Sequence, residues 1–343
     1  MDAFEDSRLE DADVLRAADP VMRTLAEAGS RVRREALLAA DALAQLGPTD
    51  STRAMITFGP EARLLRAVLE PTCPVPLVAW PRLGLPGWVG PLDVVVVLGG
   101  DGGEGPGGAE LRTGAREAVR RGCRLLVAAP VQSVLADVSA SSSTTLLPTA
   151  TEDPLAAAIV TLSALHRLGL GPEVNPDAAA DAMDRVAEAS AARLDISQNQ
   201  AKGIALELAD ADPLVWGGSI LAARASRRIA EALRSASGRV VLSADAGALE
   251  PLLTGVPLRD PFADPFEDQP ATRRPGLVLI DDGRDDDQAS FERRRLRSIA
   301  DSREVMVSEL THDSGDVVER YVTVLQQGLF AAAYLRIGLG RTA

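Results

Sequence analysis

Two glycine-rich turns are the segments of this sequence best suited to chemistry. The first follows the apolar run Asp93–Leu98 and reads Gly99-Gly100-Asp101-Gly102-Gly103-Glu104-Gly105-Pro106-Gly107-Gly108. The second, Gly217-Gly218-Ser219, follows Pro213-Leu214-Val215-Trp216. A strand that ends in glycines and leads into a helix offers backbone N–H groups to an anion. Gly59, after Ala54–Phe58, is a third such position. The candidate anion-binding residues are therefore Gly59, Gly99, Gly100, Gly102, Gly103, Gly217, Gly218 and Ser219. Phosphate also wants hydroxyl donors and no nearby carboxylate. The first loop has no hydroxyl, and it carries Asp101 and Glu104. Two like charges about 4 Å apart at an effective dielectric near 20 repel by about 4 kcal/mol.

Proton-transfer groups are scarce. The chain has two histidines, His166 and His312. His166 sits near the end of a helical stretch, where a contact with the helix dipole accounts for it. His312, in Thr311-His312-Asp313-Ser314, and Glu231, on a helical stretch, are the weak candidates for acid or base. No Cys/His spacing suits zinc, and no Ser/His/Asp order is supported. The run Asp281-Asp282-Gly283-Arg284-Asp285-Asp286-Asp287 lacks the spacing of a calcium loop and reads as a solvated acidic loop. The expectation is no metal and no cofactor.

The elements that must position these residues follow from hydrophobic period and breakers. Residues 10–46 read as two helices stopped by Gly47-Pro48. Strands are expected at 54–58, 75–80, 93–98 and 125–129, with helices at 61–69, 110–121 and 155–168. Asp93–Leu98 is apolar enough to be covered on both faces. After the connector 171–176 and a helical stretch at 177–194, the grammar repeats. Helices are expected at 202–209, 220–235, 291–300 and 317–337. Strands are expected at 213–216, 239–242, 277–280 and 304–307, with a Pro/Asp loop at 257–276. The fold class is α/β, with two domains, each a parallel sheet flanked by helices in three layers. The boundaries are 1–170 and 195–343, joined by a connector helix in 171–194.

Charge and composition exclude whole classes of partner. Of 343 residues, 36 are Lys or Arg and 49 are Asp or Glu, a net charge of −13. Nucleic acid and anionic membrane surfaces are excluded on that balance. The acidic N-terminus lacks a signal-type apolar stretch, and no run is long enough to span a bilayer. Two cysteines, Cys73 and Cys123, make no disulfide framework and suit a reducing cytoplasm.

The order of several short segments is informative. Phe58-Gly59, Val75-Pro76 and Leu85-Pro86 come first, then the glycine loop and Arg121-Gly122-Cys123. His166-Arg167-Leu168-Gly169-Leu170, Asn199-Gln200-Ala201-Lys202, Ala333-Tyr334-Leu335 and Gly338 complete the set. Together they resemble the bacterial bifunctional phosphoglucose/phosphomannose isomerases, which carry two sugar isomerase (SIS) domains. More narrowly, they resemble the actinobacterial TobH-like subgroup. The resemblance implies interconversion of glucose 6-phosphate or mannose 6-phosphate with fructose 6-phosphate. It also implies a phosphate cradle in the first domain, a glutamate base early in the second, a ring-opening histidine, a C-terminal lysine and a homodimer.

This sequence departs from the family at each of those positions. Where the family has Gly-Gly-Ser, Gly59-Pro60-Glu61 removes an amide donor and adds a charge. The enediol-stabilising arginine falls at about Leu155. The glutamate-bearing run falls on Arg234-Ser235-Ala236-Ser237-Gly238, and the histidine loop maps near 247–255, without a histidine. Lys202 is the only lysine, and it cannot replace the terminal one by position. The reading is a sugar-phosphate-binding fold that is non-catalytic or regulatory. One alternative is an active isomerase with Glu231 as base. Another is an interaction module using the acidic surface and the 257–276 loop.

Overall fold

The computed structural model describes residues 3–49, 51–81, 84–105, 107–258 and 273–341. The chain divides into two compact units. The N-terminal unit is Ala28–Asp181 with Asp316–Val318; the C-terminal unit is Met1–Glu27, Ala182–Gly315 and Glu319–Ala343. This corrects the expected 1–170 boundary, because the first 27 residues join the later unit. Their anchors are specific. The Glu5 amide donates to the Gly338 carbonyl at 2.9 Å, and Gln326 Nε2 donates to the Leu25 carbonyl at 2.6 Å.

Residues 10–46 form four helices rather than two: α1 (Ala12–Ala17), α2 (Asp19–Ala26), α3 (Ala28–Leu38) and α4 (Ala40–Ala44). The breaks fall at single residues, and Pro20 opens the second helix. Hydrophobic period alone does not see such one-residue interruptions.

The N-terminal unit is built on β1 (Ala54–Phe58), β2 (Leu77–Ala79), β3 (Asp93–Leu98), β4 (Arg124–Ala129) and β5 (Thr144–Pro148). They form an all-parallel sheet in the order β2-β1-β3-β4-β5. The helices are α5 (Ala62–Leu69), α6 (Gly108–Arg120), α7 (Val134–Ser139) and α8 (Pro154–Arg167). Every residue of β3 is buried, as its uninterrupted apolar run requires of a strand covered on both faces. On one face Val95, Val97, Leu125 and Val127 pack with Leu111, Ala115 and Ala118 of α6 and Leu135 of α7. Helices α5 and α8 lie against the other face.

The C-terminal unit repeats the arrangement with β6 (Ala211–Gly217), β7 (Leu242–Ser243), β8 (Arg274–Asp281) and β9 (Val307–Thr311), parallel in the order β7-β6-β8-β9. Helix α9 (Pro176–Ala189) holds the boundary between the units. It is followed by α10 (Gln200–Glu207), α11 (Ile220–Ser237), α12 (Ala246–Thr254), α13 (Asp287–Ser302) and α14 (Val317–Gly338). One face packs Leu214, Trp216, Leu277 and Leu279 against α12 and α13; α11 covers the other. The architecture is the expected α/β class with parallel, helix-flanked sheets. Strand β7 is shorter than expected, and β9 begins at Val307, where the expected strand ends. Most of the 257–276 loop, residues 259–272, lies outside the described residues.

One half-buried ion pair ties the residue before β1 to the start of β3. Arg53 reaches Asp93 with Nε–Oδ1 at 3.0 Å and Nη2–Oδ2 at 2.5 Å, and the Gly90 amide donates at 2.8 Å. The Asp93 side chain is fully buried, whereas Arg53 is half exposed. Burial pushes the Asp93 carboxyl up, but the Arg53 and Gly90 bonds outweigh it and hold the pKa below its ordinary value. Removing one partner of such a pair strands a buried charge. Arg53→Met is therefore expected to cost about 2 kcal/mol at neutral pH. Because the folded pKa is depressed, this contribution is present above the ordinary carboxylate range and is lost as pH falls through the folded value. Urea melts of both proteins should converge in acid.

Candidate functional site

In an open parallel sheet, ligands enter at the carboxyl ends of the strands where the strand order reverses. In the N-terminal unit that point lies between β1 and β3, and in the C-terminal unit between β6 and β8. The glycine turns singled out in the sequence fall there: Gly59 and Gly99–Gly108 in one unit, Gly217-Gly218-Ser219 in the other.

Several amides of the first loop are already used. Asp101 Oδ1 accepts from the Gly103 amide at 2.9 Å, and Oδ2 accepts from the Gly105 amide at 2.8 Å. The loop thus wraps around its own carboxylate, as it would around an external anion. Arg112 donates to the Gly103 carbonyl, and the Gly102 amide closes on the Gly99 carbonyl at 2.9 Å. The glycines have steric reasons as well. A Cβ on Gly99 would lie 2.2 Å from Leu135 Cδ2, and one on Gly102 would lie 2.7 Å from Ser133 Cβ. Gly102 and Gly103 also take positive φ, which glycine adopts without strain. Gly100 is the roomier position, its nearest neighbours being the backbone of Thr151 and Glu152 at 3.9 Å.

The same edge is sealed beyond β5. Glu35, on α3, is 1% exposed. Its carboxylate accepts from the Ala150 amide at 3.0 and 3.1 Å, from the Thr151 amide at 2.6 Å, and from the Thr151 hydroxyl. One turn earlier on α3, Arg31 pairs with Asp153 at 2.7 Å, and Asp153 caps α8. Glu61, beside Gly59 and Pro60, is also buried.

In the C-terminal unit the acidic run is not the solvated loop its composition suggests. It starts at the end of β8, and its second member is turned into the core. Asp282 is 0% exposed. Ser219 Oγ donates to Asp282 Oδ2 at 2.8 Å and accepts from the Ala222 amide at 2.9 Å, capping α11. The hydroxyl a phosphate would want is given to a carboxylate. The Asp285 carboxylate is 3% exposed, and Arg293 Nε lies 3.5 Å from its Oδ2. Burial, reinforced by Asp282 and Asp286, pushes the Asp285 carboxyl up to about 6. Arg293 also bonds Asp281, and Asp286 caps α13. Gly217 and Gly218 are required by packing: a Cβ on Gly217 would sit 2.4 Å from the Ala222 backbone, and one on Gly218 2.7 Å from Trp216, Ala289 and Asp285.

The proton-transfer candidates are dispersed. Glu231 is exposed on α11, twelve residues beyond Ser219, or roughly 18 Å along the axis. It is out of reach of the strand ends, and the structure removes it as a base there. His312 follows β9 at the correct edge; its amide donates to the Asp281 carbonyl at 2.9 Å, and its Nε2 lies 3.3 Å from Ser314 Oγ. His166 is exposed, and its Nδ1 lies 3.2 Å from the Gly171 carbonyl, beyond the helix end. Leu155 is buried in the first turn of α8. Residues 247–255 lie mostly in helix α12 rather than in a loop. Lys202 is buried, its Nζ donating to the carbonyls of Ala192 (3.1 Å) and Leu194 (2.6 Å). What sequence reasoning missed is Glu35 and the burial of Asp282. The signal available for Glu35 was a lone acidic residue on an otherwise apolar stripe of α3.

Residues 197–341 match the family of the bacterial phospho-glucose isomerase C-terminal SIS domain. None of the curated proteins matches the chain. Among solved structures, tagatose-6-phosphate ketose/aldose isomerase from Escherichia coli is similar at 12% identity and TM-score 0.62, covering 95% of this chain and 94% of its own. The C-terminal domain of glucosamine-fructose-6-phosphate aminotransferase from Francisella tularensis aligns at 13% identity and TM-score 0.60, covering 93% and 96%. A glucose-6-phosphate isomerase like protein from Thermus thermophilus aligns at 16% identity and TM-score 0.50, covering 89% and 91%. The fold is that of these solved structures, and the likeness to the phospho-glucose isomerase C-terminal SIS domain is confined to residues 197–341.

Proposed function

We propose that this chain is a non-catalytic member of the SIS phosphosugar-isomerase group, of the TobH-like kind, whose fold persists without the phosphate cradle or the proton-transfer set. The carrying observation is the carboxylate placed at each strand-order reversal. Asp101 takes the Gly103 and Gly105 amides, and Asp282 takes the Ser219 hydroxyl. A sugar phosphate brought to either turn would meet negative charge where it needs donors. On this reading the protein acts as a cytoplasmic homodimer that regulates or partners sugar-phosphate enzymes. Cys73 and Cys123, both unbridged, are consistent with that compartment.

The test is a coupled assay of the purified protein with glucose 6-phosphate and mannose 6-phosphate. Turnover well below about 1 s⁻¹, the low end of ordinary enzyme rates, is expected for both. Light scattering of the same sample should give twice the chain mass. Turnover at or above about 1 s⁻¹ overturns the reading, as does density for fructose 6-phosphate beside Gly99–Gly103 in a soaked crystal.

A further inference from the structure

A different feature of the C-terminal unit points to a ligand of opposite charge. At the reversal between β6 and β8, Asp281, Asp282 and Asp285 each offer a carboxylate oxygen, and these atoms all lie within 4.8 Å of one another. Two of the three side chains are shut off from water: Asp282 is 0% exposed and the Asp285 carboxylate 3% exposed. Asp282 Oδ1 and both oxygens of Asp285 are buried and accept no hydrogen bond. The Ser219 amide is directed at Asp285 and favours its charged form. Buried carboxylate oxygens without a hydrogen bond are costly, and Asp282 and Asp285 each also place one oxygen in the cluster.

The surrounding charges leave the cluster under-compensated. From α13, Arg293 pairs Asp281 and approaches Asp285, while Asp286 adds a further carboxylate committed to its helix cap. From α14, Arg320 is spent on the backbone carbonyls of Asp282 and Gly283, at 3.3 and 3.2 Å. Beyond β9 lie His312 and the exposed Asp313. Of the two guanidinium groups named here, one pairs with aspartates and the other is committed to backbone carbonyls.

We propose that Asp281, Asp282 and Asp285 form a site for a divalent cation of calcium size at the carboxyl ends of β6 and β8. Hard carboxylate oxygens select a hard cation. Two ligands of one ion can be no farther apart than twice the bond length: about 5 Å for Ca²⁺ and about 4 Å for Mg²⁺. Ligand atoms that all lie within 4.8 Å of one another fall inside the calcium limit. Asp282 Oδ1 and Asp285 Oδ1 would supply the buried ligands, with Asp281 completing the protein's share at the rim. The Ser219 hydroxyl, donating to Asp282 Oδ2, would orient that carboxylate.

The experiment is calorimetric titration of the full chain, stripped with EDTA, against Ca²⁺ and separately against Mg²⁺, with thermal melts alongside. One Ca²⁺ per chain is expected, with Mg²⁺ at least tenfold weaker and a rise in melting temperature that saturates with Ca²⁺. Asp285→Asn should weaken Ca²⁺ at least tenfold. Asp301→Asn, an exposed carboxylate on α13, should leave it unchanged. If Asp285→Asn fails to fold by circular dichroism, Asp282→Asn serves in its place. The absence of a saturable Ca²⁺ response, equal affinities in wild type and Asp285→Asn, or tighter binding of Mg²⁺ would each overturn the site.

Discussion

Replacing Gly59 by alanine is expected to destabilise the protein by about 3 kcal/mol or more in urea melts. Gly59 has φ +121°, and a Cβ there would lie 2.1 Å from the Leu98 carbonyl oxygen and 2.9 Å from Leu98 Cβ. Leu98 ends β3, which pairs with β1 up to Phe58 and Val97. The two strand ends therefore approach too closely for any side chain between them. The Gly59 carbonyl also accepts the first bond of the α5 turn, from the Ala62 amide at 3.2 Å. Relieving the overlap means moving the strand end or unwinding that turn. Backbone strain of this kind costs about 1–3 kcal/mol, and forced overpacking costs about the same again. Gly169→Ala separates the two effects. Gly169 has φ +76° with open space around its Cβ position, so it should show the conformational penalty alone, about 1 kcal/mol. A Gly59→Ala protein within about 1 kcal/mol of wild type would mean that the glycine is kept for something other than packing.

Gly59 also shows where the sequence was legible. The strands β1, β3, β4, β6 and β8 were readable because each is a short apolar run ended by a breaker. A strand covered on both faces has no other way to be written. Strand β5, Thr-Thr-Leu-Leu-Pro, is partly exposed, and its threonines blur the signal. Helix α12 holds Pro251, and α7 has six residues, so neither presents enough helical period. For the site, composition showed what the turns lack: hydroxyls, and carboxylate-free surroundings. It could not show what fills the turns. That Asp101 folds back on the amides two and four residues ahead is a matter of loop conformation. That Asp282 faces inward while its neighbours face out depends on where β8 ends in the core. An acidic run reads the same either way until the sheet is built.

The second large effect is expected at Glu35, and it bears on what kind of edge this sheet has. Glu35→Ala removes a buried acceptor shared by the Ala150 amide, the Thr151 amide and the Thr151 hydroxyl. Orphaning a buried donor costs about 1–3 kcal/mol, and bonds to a charged acceptor lie at the upper end. With the side-chain cavity added, the loss should be about 3–4 kcal/mol, read as a shift in urea midpoint at unchanged slope. Thr151 and Glu152 adjoin Gly100, so the Thr151 amide belongs to the same C-terminal edge as the glycine loop. If the edge is built to hold anions and Glu35 is the anion it holds, a small carboxylate should substitute. Formate, and not chloride at equal ionic strength, should then recover part of the lost stability in Glu35→Ala while leaving wild type unmoved. A loss below about 1 kcal/mol would show that water reaches these amides and that Glu35 is dispensable. Equal response to formate and chloride would show that only the bulk salt matters. Recovery by formate would mean that the edge still grips anions but that the fold supplies its own, leaving no vacancy for a substrate's phosphate.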